Sequence, residues 1–161
     1  MNKEDRSHRV ECQALDLENL LNYRVQRLAS QMALITAREV LHGTGIHIAE
    51  WRMICTLTQN GPSNVTQVSR QLVLDPGRTS RLMKASEAKG LVKRETDPKD
   101  GRASIFSLTP KSRELFETAW PKARAVASEF DQLFSDEERG VFVEFLDRSI
   151  GLAGTTPNGF T

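Results

Sequence analysis

A strand–turn–strand pattern in the second half of the chain constrains its fold most. Two runs of strand-forming residues, 91–95 and 103–108, flank a cluster of turn-forming and charged residues: Asp97, Pro98, Lys99, Asp100, Gly101 and Arg102. The second run alternates apolar and small polar side chains, which is typical of a strand with one buried face. The pattern therefore predicts a β-hairpin whose loop is longer than a tight turn requires.

Helical patterns lie on both sides of this hairpin. Apolar residues recur at three- and four-residue spacing over residues 17–41, 115–134 and 141–150. Thr109 before a proline and Ser135 before three acidic residues are typical N-caps. Long amphipathic helices need an apolar partner, and a second copy of the chain is the simplest one. We therefore expect an intertwined homodimer.

The residues before the hairpin have the order of a helix-turn-helix. A first helix is indicated over 46–60, a short helix begins near Thr66, and a third spans 76–89 with Asp75 as its N-cap and Gly90 beyond its end. The hairpin follows directly, which makes it the wing of a winged helix-turn-helix. We expect a mainly α protein with a small β-hairpin wing and long terminal dimerisation helices.

The expected organisation follows from these boundaries. A DNA-binding lobe at 46–110 separates an N-terminal dimerisation helix within 17–45 from C-terminal dimerisation helices at 111–152. Flexible segments are expected at 1–16 and 153–161.

Charge is distributed unevenly along the chain, although the net charge is only +1. Between Pro62 and Arg113, eleven basic residues outnumber five acidic ones, so the remainder of the chain is acidic. A basic middle between acidic ends indicates a polyanion-binding module on a scaffold, and double-stranded DNA is the expected partner. The candidates for DNA contact on the third helix are Gly77, Arg78, Ser80, Arg81 and Lys84.

The same segments carry a family resemblance. AEWRMICTLTQNG and LDPGRTSRLMKASEAKGLVKRETDPKDGRASIFSLTPKSRELFE, with the flanking helices, resemble the MarR family of bacterial transcriptional regulators over about residues 17–150. The most specific part is the wing, which matches the family pattern D-P-x-D-x-R-A…L-T-P at Asp97, Pro98, Asp100, Arg102, Ala103, Leu108, Thr109 and Pro110. The resemblance implies a homodimer on a pseudo-palindromic operator, commonly a repressor released by a small-molecule effector or by oxidation.

The resemblance also implies roles for individual residues. Arg102 matches the wing arginine that enters the minor groove, and Asp100 matches the acid that helps to hold it; Lys99 is the remaining wing candidate. A possible effector cleft is bordered by three residues of the first helix and its start: His47, Trp51 and Arg52. For Trp51, packing in the core or at the dimer contact is an equally good interpretation.

Three positions depart from the family pattern. Gly101 replaces a basic residue common at the wing tip, and Thr79 and Ser86 stand where the recognition helix usually turns Val and Leu inward. Weaker packing of that helix is expected. Asn22 lies roughly where the peroxide-sensing branch carries its reactive cysteine, so an organic-peroxide sensor is disfavoured.

Other classes of function have no matching pattern. The sequence shows no nucleophile with an ordered base and no phosphate-binding glycine loop, so we expect neither an enzyme nor a cofactor. Cys12 and Cys55 lack metal-ligand spacing, and no other ligands accompany His42 and His47, so no metal site is expected. No run has the length of a membrane helix, and no signal peptide is visible, which indicates a cytoplasmic protein without a membrane partner.

Two alternatives remain open at the level of sequence. One is a redox- or metal-responsive sensor of the same fold, with Cys12 as the main redox candidate. The other is a winged-helix protein-interaction module that does not bind DNA.

Overall fold

The computed structural model describes residues 16–98, 101 and 103–155 and divides into two units, with the boundary between Leu34 and Ile35. In the first unit, a 3₁₀ turn at Leu17–Asn19 precedes helix α1 (Leu21–Ile35). The extended backbone of Leu20 separates the two. The predicted helix over 17–41 is therefore interrupted near its start.

The second unit contains the remaining elements. It opens with a π-helical turn at Thr36–Val40, closed by a hydrogen bond of 3.1 Å from the N–H of Leu41 to the carbonyl of Thr36. In chain order there follow α2 (Ile48–Asn60), β1 (Ser63–Asn64), α3 (Val65–Leu72), α4 (Pro76–Ala88), β2 (Val92–Thr96), β3 (Ser104–Leu108), α5 (Pro110–Asp131) and α6 (Asp136–Thr155). The predicted mainly α fold with a helix-turn-helix and a β-hairpin wing is confirmed.

Side-chain caps define where the helices begin. Asp75 Oδ1 accepts the N–H of Arg78 at 2.8 Å, and Thr109 Oγ1 accepts the N–H of Ser112 at 3.3 Å. Ser135 Oγ accepts the N–H of Glu138 at 3.2 Å. These bonds satisfy backbone donors that the first helical turn leaves free, and they confirm the three predicted N-caps.

The sheet is antiparallel and has the strand order β1-β3-β2. Strands β2 and β3 pair from Val92 opposite Leu108 to Thr96 opposite Ser104, so the predicted hairpin is confirmed within one residue at its ends. Strand β1 pairs Ser63 with Phe106 and was not predicted, because two residues are too short to show an alternating pattern.

The last part of α5 differs from the prediction. The helix ends at Asp131, so Leu133 and Phe134 lie in the connection to α6. Leu133 is 70% exposed, whereas the ring of Phe134 contacts Phe130 edge-on at 5.5 Å and stacks on Phe142 at 5.4 Å between centroids. The aromatic cluster thus joins α5 to α6 across a sharp turn.

The core of the second unit lies between α2, α4, the hairpin and the first half of α5. Met53 and Ile54 of α2 and Met83 of α4 are fully buried. The hairpin adds a set of side chains that are at most 5% exposed: Leu91, Val92, Phe106 and Leu108. Because the base of the hairpin belongs to this core, the wing has a fixed origin beside α4.

Two small polar residues lie on the buried face of α4, as expected. Thr79 and Ser86 are both 0% exposed. Thr79 Oγ1 donates to the carbonyl of Asp75 at 3.0 Å, but Ser86 Oγ has no hydrogen-bond partner among the residues that the structure describes. An unpaired buried hydroxyl costs about 1–3 kcal/mol.

A buried carboxylate, which the sequence did not single out, joins α2 to the end of α4. Glu50 is 4% exposed, and its oxygens lie 2.7 and 3.0 Å from Lys89 Nζ. Oε2 also accepts the N–H of His47 at 2.8 Å. Burial raises the pKa of Glu50, but the hydrogen bond from Lys89, that from His47 and the nearby positive charges together lower this pKa below its ordinary value.

Replacing Ser86 with Ala should raise the free energy of unfolding by about 1 kcal/mol, because it removes an unpaired buried hydroxyl. Ser112 is the matched control, since it is also 0% exposed but its Oγ donates to the carbonyl of Leu91 at 2.5 Å. Ser112→Ala should lower the free energy of unfolding by about 1 kcal/mol. Urea denaturation measures both; equal destabilisation would mean that the hydroxyl of Ser86 is paired.

Glu50 should contribute an acid-dependent part of the stability. Its folded pKa lies below the ordinary value of 4.5, so the contribution is complete above that pH and is lost as the pH falls through the folded pKa. Between about pH 5 and pH 3, the unfolding free energy of Glu50→Gln should therefore depend less steeply on pH than that of the wild type. Exposed Glu129, replaced by Gln, is the control. Parallel curves for wild type and Glu50→Gln would contradict the assignment.

Candidate nucleic-acid interface

The five residues predicted on the recognition helix share one face of α4. Gly77, Arg78, Ser80, Arg81 and Lys84 are all exposed, whereas Thr79, Met83 and Ser86 form the buried side. The helix has 13 residues, one fewer than predicted, because Lys89 is its C-cap. Its length is about 20 Å at 1.5 Å per residue, which suits the major groove of DNA.

The two arginines of this face differ in their surroundings. Arg78 Nε lies 3.2 Å from Asp75 Oδ2, so the capping carboxylate already holds its guanidinium. Arg81 and Lys84 form no ion pair or side-chain hydrogen bond with any described residue. Their charges are therefore available to an incoming anion.

Gly77 leaves space beside the Asp75 carboxylate and the Arg81 guanidinium. A Cβ at this position would lie 3.1 Å from Asp75 Oδ1 and 3.7 Å from Arg81 Nη1. A side chain here would crowd the N-cap, so glycine keeps the start of α4 close to the Arg81 guanidinium.

A cleft of about 700 Å³ separates the recognition helix from the hairpin. Its walls come from the start of α3, from α4 and from both strands of the hairpin: Asn64, Val65, Thr66, Ser80, Lys84, Glu87, Arg94, Ala103, Ser104 and Phe106. Two cations, Lys84 and Arg94, face one acid, Glu87. The balance favours an anionic occupant such as a DNA phosphate.

Arg94 was counted in the charge of the basic segment but was not predicted as a site residue. On β2 it pairs with Phe106 of β3, and its Nε donates to Ser104 Oγ at 2.8 Å. The hydroxyl fixes the guanidinium above the cleft. The signal in the sequence was the two-residue period of the strand, which places Arg94 on the same face as Val92.

The wing-tip candidates Lys99, Asp100 and Arg102 lie outside the described residues. The base of the loop is closed by a hydrogen bond of 3.0 Å from the N–H of Asp97 to the carbonyl of Ala103. Gly101 is exposed in a turn.

The three residues predicted around an effector cleft lie near the start of α2. His47 is its N-cap and is exposed, and Arg52 is also exposed. Trp51 is only 6% exposed, and its ring stacks on Phe116 with 5.7 Å between centroids. Core packing of Trp51, the alternative interpretation, therefore agrees with its position.

A cavity of about 350 Å³ lies beyond Phe116. It is enclosed by the end of α2, the end of β3 and the first turns of α5: Leu57, Thr58, Gly61, Pro62, Ser107, Leu108, Arg113, Phe116 and Glu117. None of His47, Trp51 and Arg52 lines it. It combines an apolar wall with an arginine, a combination typical of small-molecule sites.

Cys55 is half-buried, and burial raises the pKa of its thiol to about 11. A thiol with this pKa is almost entirely protonated at neutral pH, so Cys55 is a poor redox sensor. Cys12 lies outside the described residues.

Within the described chain, no three His, Cys, Asp or Glu residues converge in a metal-binding group. No described helix has the length and apolar character to cross a membrane.

Comparison with known proteins agrees with this geometry. A model of the MarR family matches residues 44–103. The uncharacterised HTH-type transcriptional regulator YxaD of Bacillus subtilis (strain 168) is 30% identical over 100 residues, which are 62% of this chain and 70% of YxaD.

Two solved structures show the same fold. The PcaV transcriptional regulator from Streptomyces coelicolor, in complex with its natural ligand, has a TM-score of 0.75 at 19% identity over 87% of this chain and 98% of PcaV. CouR from Rhodococcus jostii RHA1, bound to p-coumaroyl-CoA, has a TM-score of 0.74 at 20% identity over 89% of this chain and 98% of CouR. The winged helix-turn-helix, its exposed basic helix and these matches establish that the chain belongs to the MarR family of DNA-binding transcriptional regulators.

Proposed function

We propose that this regulator is a cytoplasmic repressor that binds a pseudo-palindromic operator as a homodimer and is released by a small-molecule effector. The observation that carries the proposal is the exposed face of α4, where Arg81 and Lys84 have no partner in the described chain and Lys84 borders a cleft that also contains Arg94. Cations with no internal partner are suited to binding the DNA backbone and base edges.

The DNA contacts divide into two kinds. Arg81, near the middle of α4, is the proposed base-reading residue, because a free guanidinium can pair bidentately with guanine. Arg78 is a weaker candidate, since Asp75 competes for it at 3.2 Å. Arg94 and Lys84 bind phosphates at the cleft, and Arg102 of the wing enters the minor groove.

Apolar side chains on the terminal helices support the homodimer. On α1, Leu21 is 73% exposed; on α6, Phe145 is 50% and Ile150 is 68% exposed. An open apolar groove also lies along α6 and the connection before it, lined by Phe134, Val141, Phe142 and Phe145 together with Glu137 and Glu138. Helices with apolar faces of this kind gain stability by burying them against a second copy.

Effector control is supported by the cavity beside Phe116. Its floor is apolar, and Arg113 makes no ion pair with any described residue, so an organic anion could be held there. PcaV was solved in complex with its natural ligand, and CouR was solved bound to p-coumaroyl-CoA. The cavity is a second effector candidate beside the cleft at His47, Trp51 and Arg52.

The wild-type protein should sediment as a dimer at micromolar concentration. Val141→Glu should shift it towards the monomer, because a carboxylate in the apolar groove of α6 cannot be buried against a second copy without a large cost. Val73→Glu is the matched control, since Val73 is 89% exposed in the connection between α3 and α4. A folded wild-type monomer, or dimers of equal strength in both variants, would contradict the proposed assembly.

The DNA-binding roles can be separated by two substitutions. Selection from random duplexes with the wild type should yield one operator. Arg81→Ala should weaken binding to this operator by about 1–3 kcal/mol and relax the base preference at particular operator positions. Arg94→Ala should weaken operator and non-specific DNA together and reduce the salt slope by about one.

Lys93→Ala is the control for Arg94, because Lys93 is the neighbouring cation of β2 and pairs with Glu95 at 3.0 Å. Failure of the wild type to select any sequence would refute the proposed function. An unchanged operator preference in Arg81→Ala would refute only the role of Arg81.

A further inference from the structure

The ion pair of buried Glu50 and Lys89, whose side chain is 40% exposed, connects two helices that are far apart in the chain. Glu50 is the third residue of α2, and Lys89 is the C-cap of the recognition helix α4. Both carboxylate oxygens lie within 3.0 Å of Nζ, and the carboxylate is also bonded to the N–H of His47. These three contacts therefore define the orientation of the Glu50 carboxylate.

Stability alone does not account for such a pair. Taking the Glu50 carboxylate out of water costs about as much as its attraction to Lys89 returns, and an apolar residue of similar size often stabilises a fold equally well. What this doubly bonded pair provides is direction, because its bonds to Lys89 and to the N–H of His47 together restrict the relative placement of α2 and α4. The carbonyl of Lys89 accepts a further bond of 3.0 Å from Lys111 Nζ at the start of α5.

The packing of α4 against the core constrains the direction of the helix axis only weakly. Its fully buried side chains are Thr79 and Ser86, which are small, and Met83, which is flexible, whereas the branched Leu82 is only partly buried against the core. Small side chains and an adaptable one constrain the tilt of a helix less than large branched residues do. Lys89 lies eight residues from Arg81, about 12 Å along the axis. A change in direction at Lys89 therefore displaces the side chains near the start of the helix.

We propose that Glu50 is a positioning residue for sequence reading: through Lys89 it fixes the direction of α4, so that Arg81 meets base edges in the major groove. Glu50 itself is buried and does not touch DNA. The inference rests on the sequence-specific operator binding proposed above and assigns it a determinant outside the DNA-facing surface.

The test uses the full chain and two DNA probes, a duplex that the wild type selects from a random library and poly(dI-dC) as non-specific DNA. Dissociation constants are measured for wild type, Glu50→Gln, and Glu50→Gln with Lys89→Met, each with and without Arg81→Ala. The double change removes both charges, so Lys89 does not keep a charge whose partner has been removed. Glu129→Gln is the charge-matched control on an exposed site of α5. All measurements are made at a temperature where circular dichroism shows every variant folded.

A positioning role predicts a loss of discrimination. The ratio of operator to non-specific affinity should fall about fivefold or more in both Glu50 variants and stay unchanged in Glu129→Gln. In the two Glu50 variants, the loss of operator affinity caused by Arg81→Ala should be at least about twofold smaller than in the wild type, because the arginine is already misplaced. An unchanged ratio together with an additive effect of Arg81→Ala would overturn the inference while leaving the proposed function intact. If the wild type selected no sequence, both would fall.

Discussion

The connection from the recognition helix to the wing is held by the first turn of α5. Thr109 Oγ1 donates to the carbonyl of Gly90 at 2.8 Å, and its N–H donates to the carbonyl of Leu91 at 3.2 Å. Ser112 Oγ reaches the same carbonyl of Leu91. The carbonyls of Gly90 and Leu91, which follow the end of α4, are thus bonded to residues about 20 positions later, and these bonds tie the helix, the hairpin and α5 into one corner. The position of every proposed DNA contact depends on this corner.

Local chemistry explains which parts of the fold could be predicted. Asp75, Thr109 and Ser135 each act within three residues of their own position, so the sequence alone contains the signal. The hairpin was equally accessible, because its alternation and its turn residues are local. Strand β1 was missed, since its two residues become a strand only through pairing with β3.

The candidate site was predictable to a different extent. The exposed face of α4 follows from helical periodicity and a single cap. Arg94 requires the register between β2 and β3, and the pairing of Glu50 with Lys89 joins residues 39 positions apart. The cavity beside Phe116 needs three elements to be placed in space. The period of β2 indicates the face of Arg94, but its position over the cleft, the Glu50–Lys89 pair and the cavity all depend on tertiary contacts. The family resemblance therefore indicated an effector cleft at His47, Trp51 and Arg52 without indicating this second space.

Conformational strain is concentrated next to the DNA-facing helix. Val73, between α3 and α4, has φ 53° and ψ 47°, a left-handed conformation that is unfavourable for a β-branched residue. Ser69 holds the turn: its carbonyl accepts the N–H of Leu74 at 3.1 Å, and its Oγ donates to the carbonyl of Leu74 at 2.5 Å. The left-handed backbone of Val73 and the unpaired hydroxyl of Ser86 are thus two unfavourable features of the helix-turn-helix. Because α4 lacks a large apolar face, contacts at its two ends fix its direction.

The same arrangement determines how a ligand could act on DNA binding. The cavity beside Phe116 shares Ser107 and Leu108 with β3, and β3 is bonded along its whole length to β2, which carries Arg94. A molecule that enlarges this cavity must displace one of the elements that line it, α2, β3 or α5, because close-packed interiors shift as units rather than deform continuously. Displacement of β3 moves Arg94 relative to Lys84. Displacement of α5 disturbs the hydrogen bonds from Thr109 and Ser112 to the carbonyls of Gly90 and Leu91, which follow α4. Either movement changes the relation between wing and recognition helix, so effector binding at this cavity would act on DNA affinity without touching the DNA-facing surface.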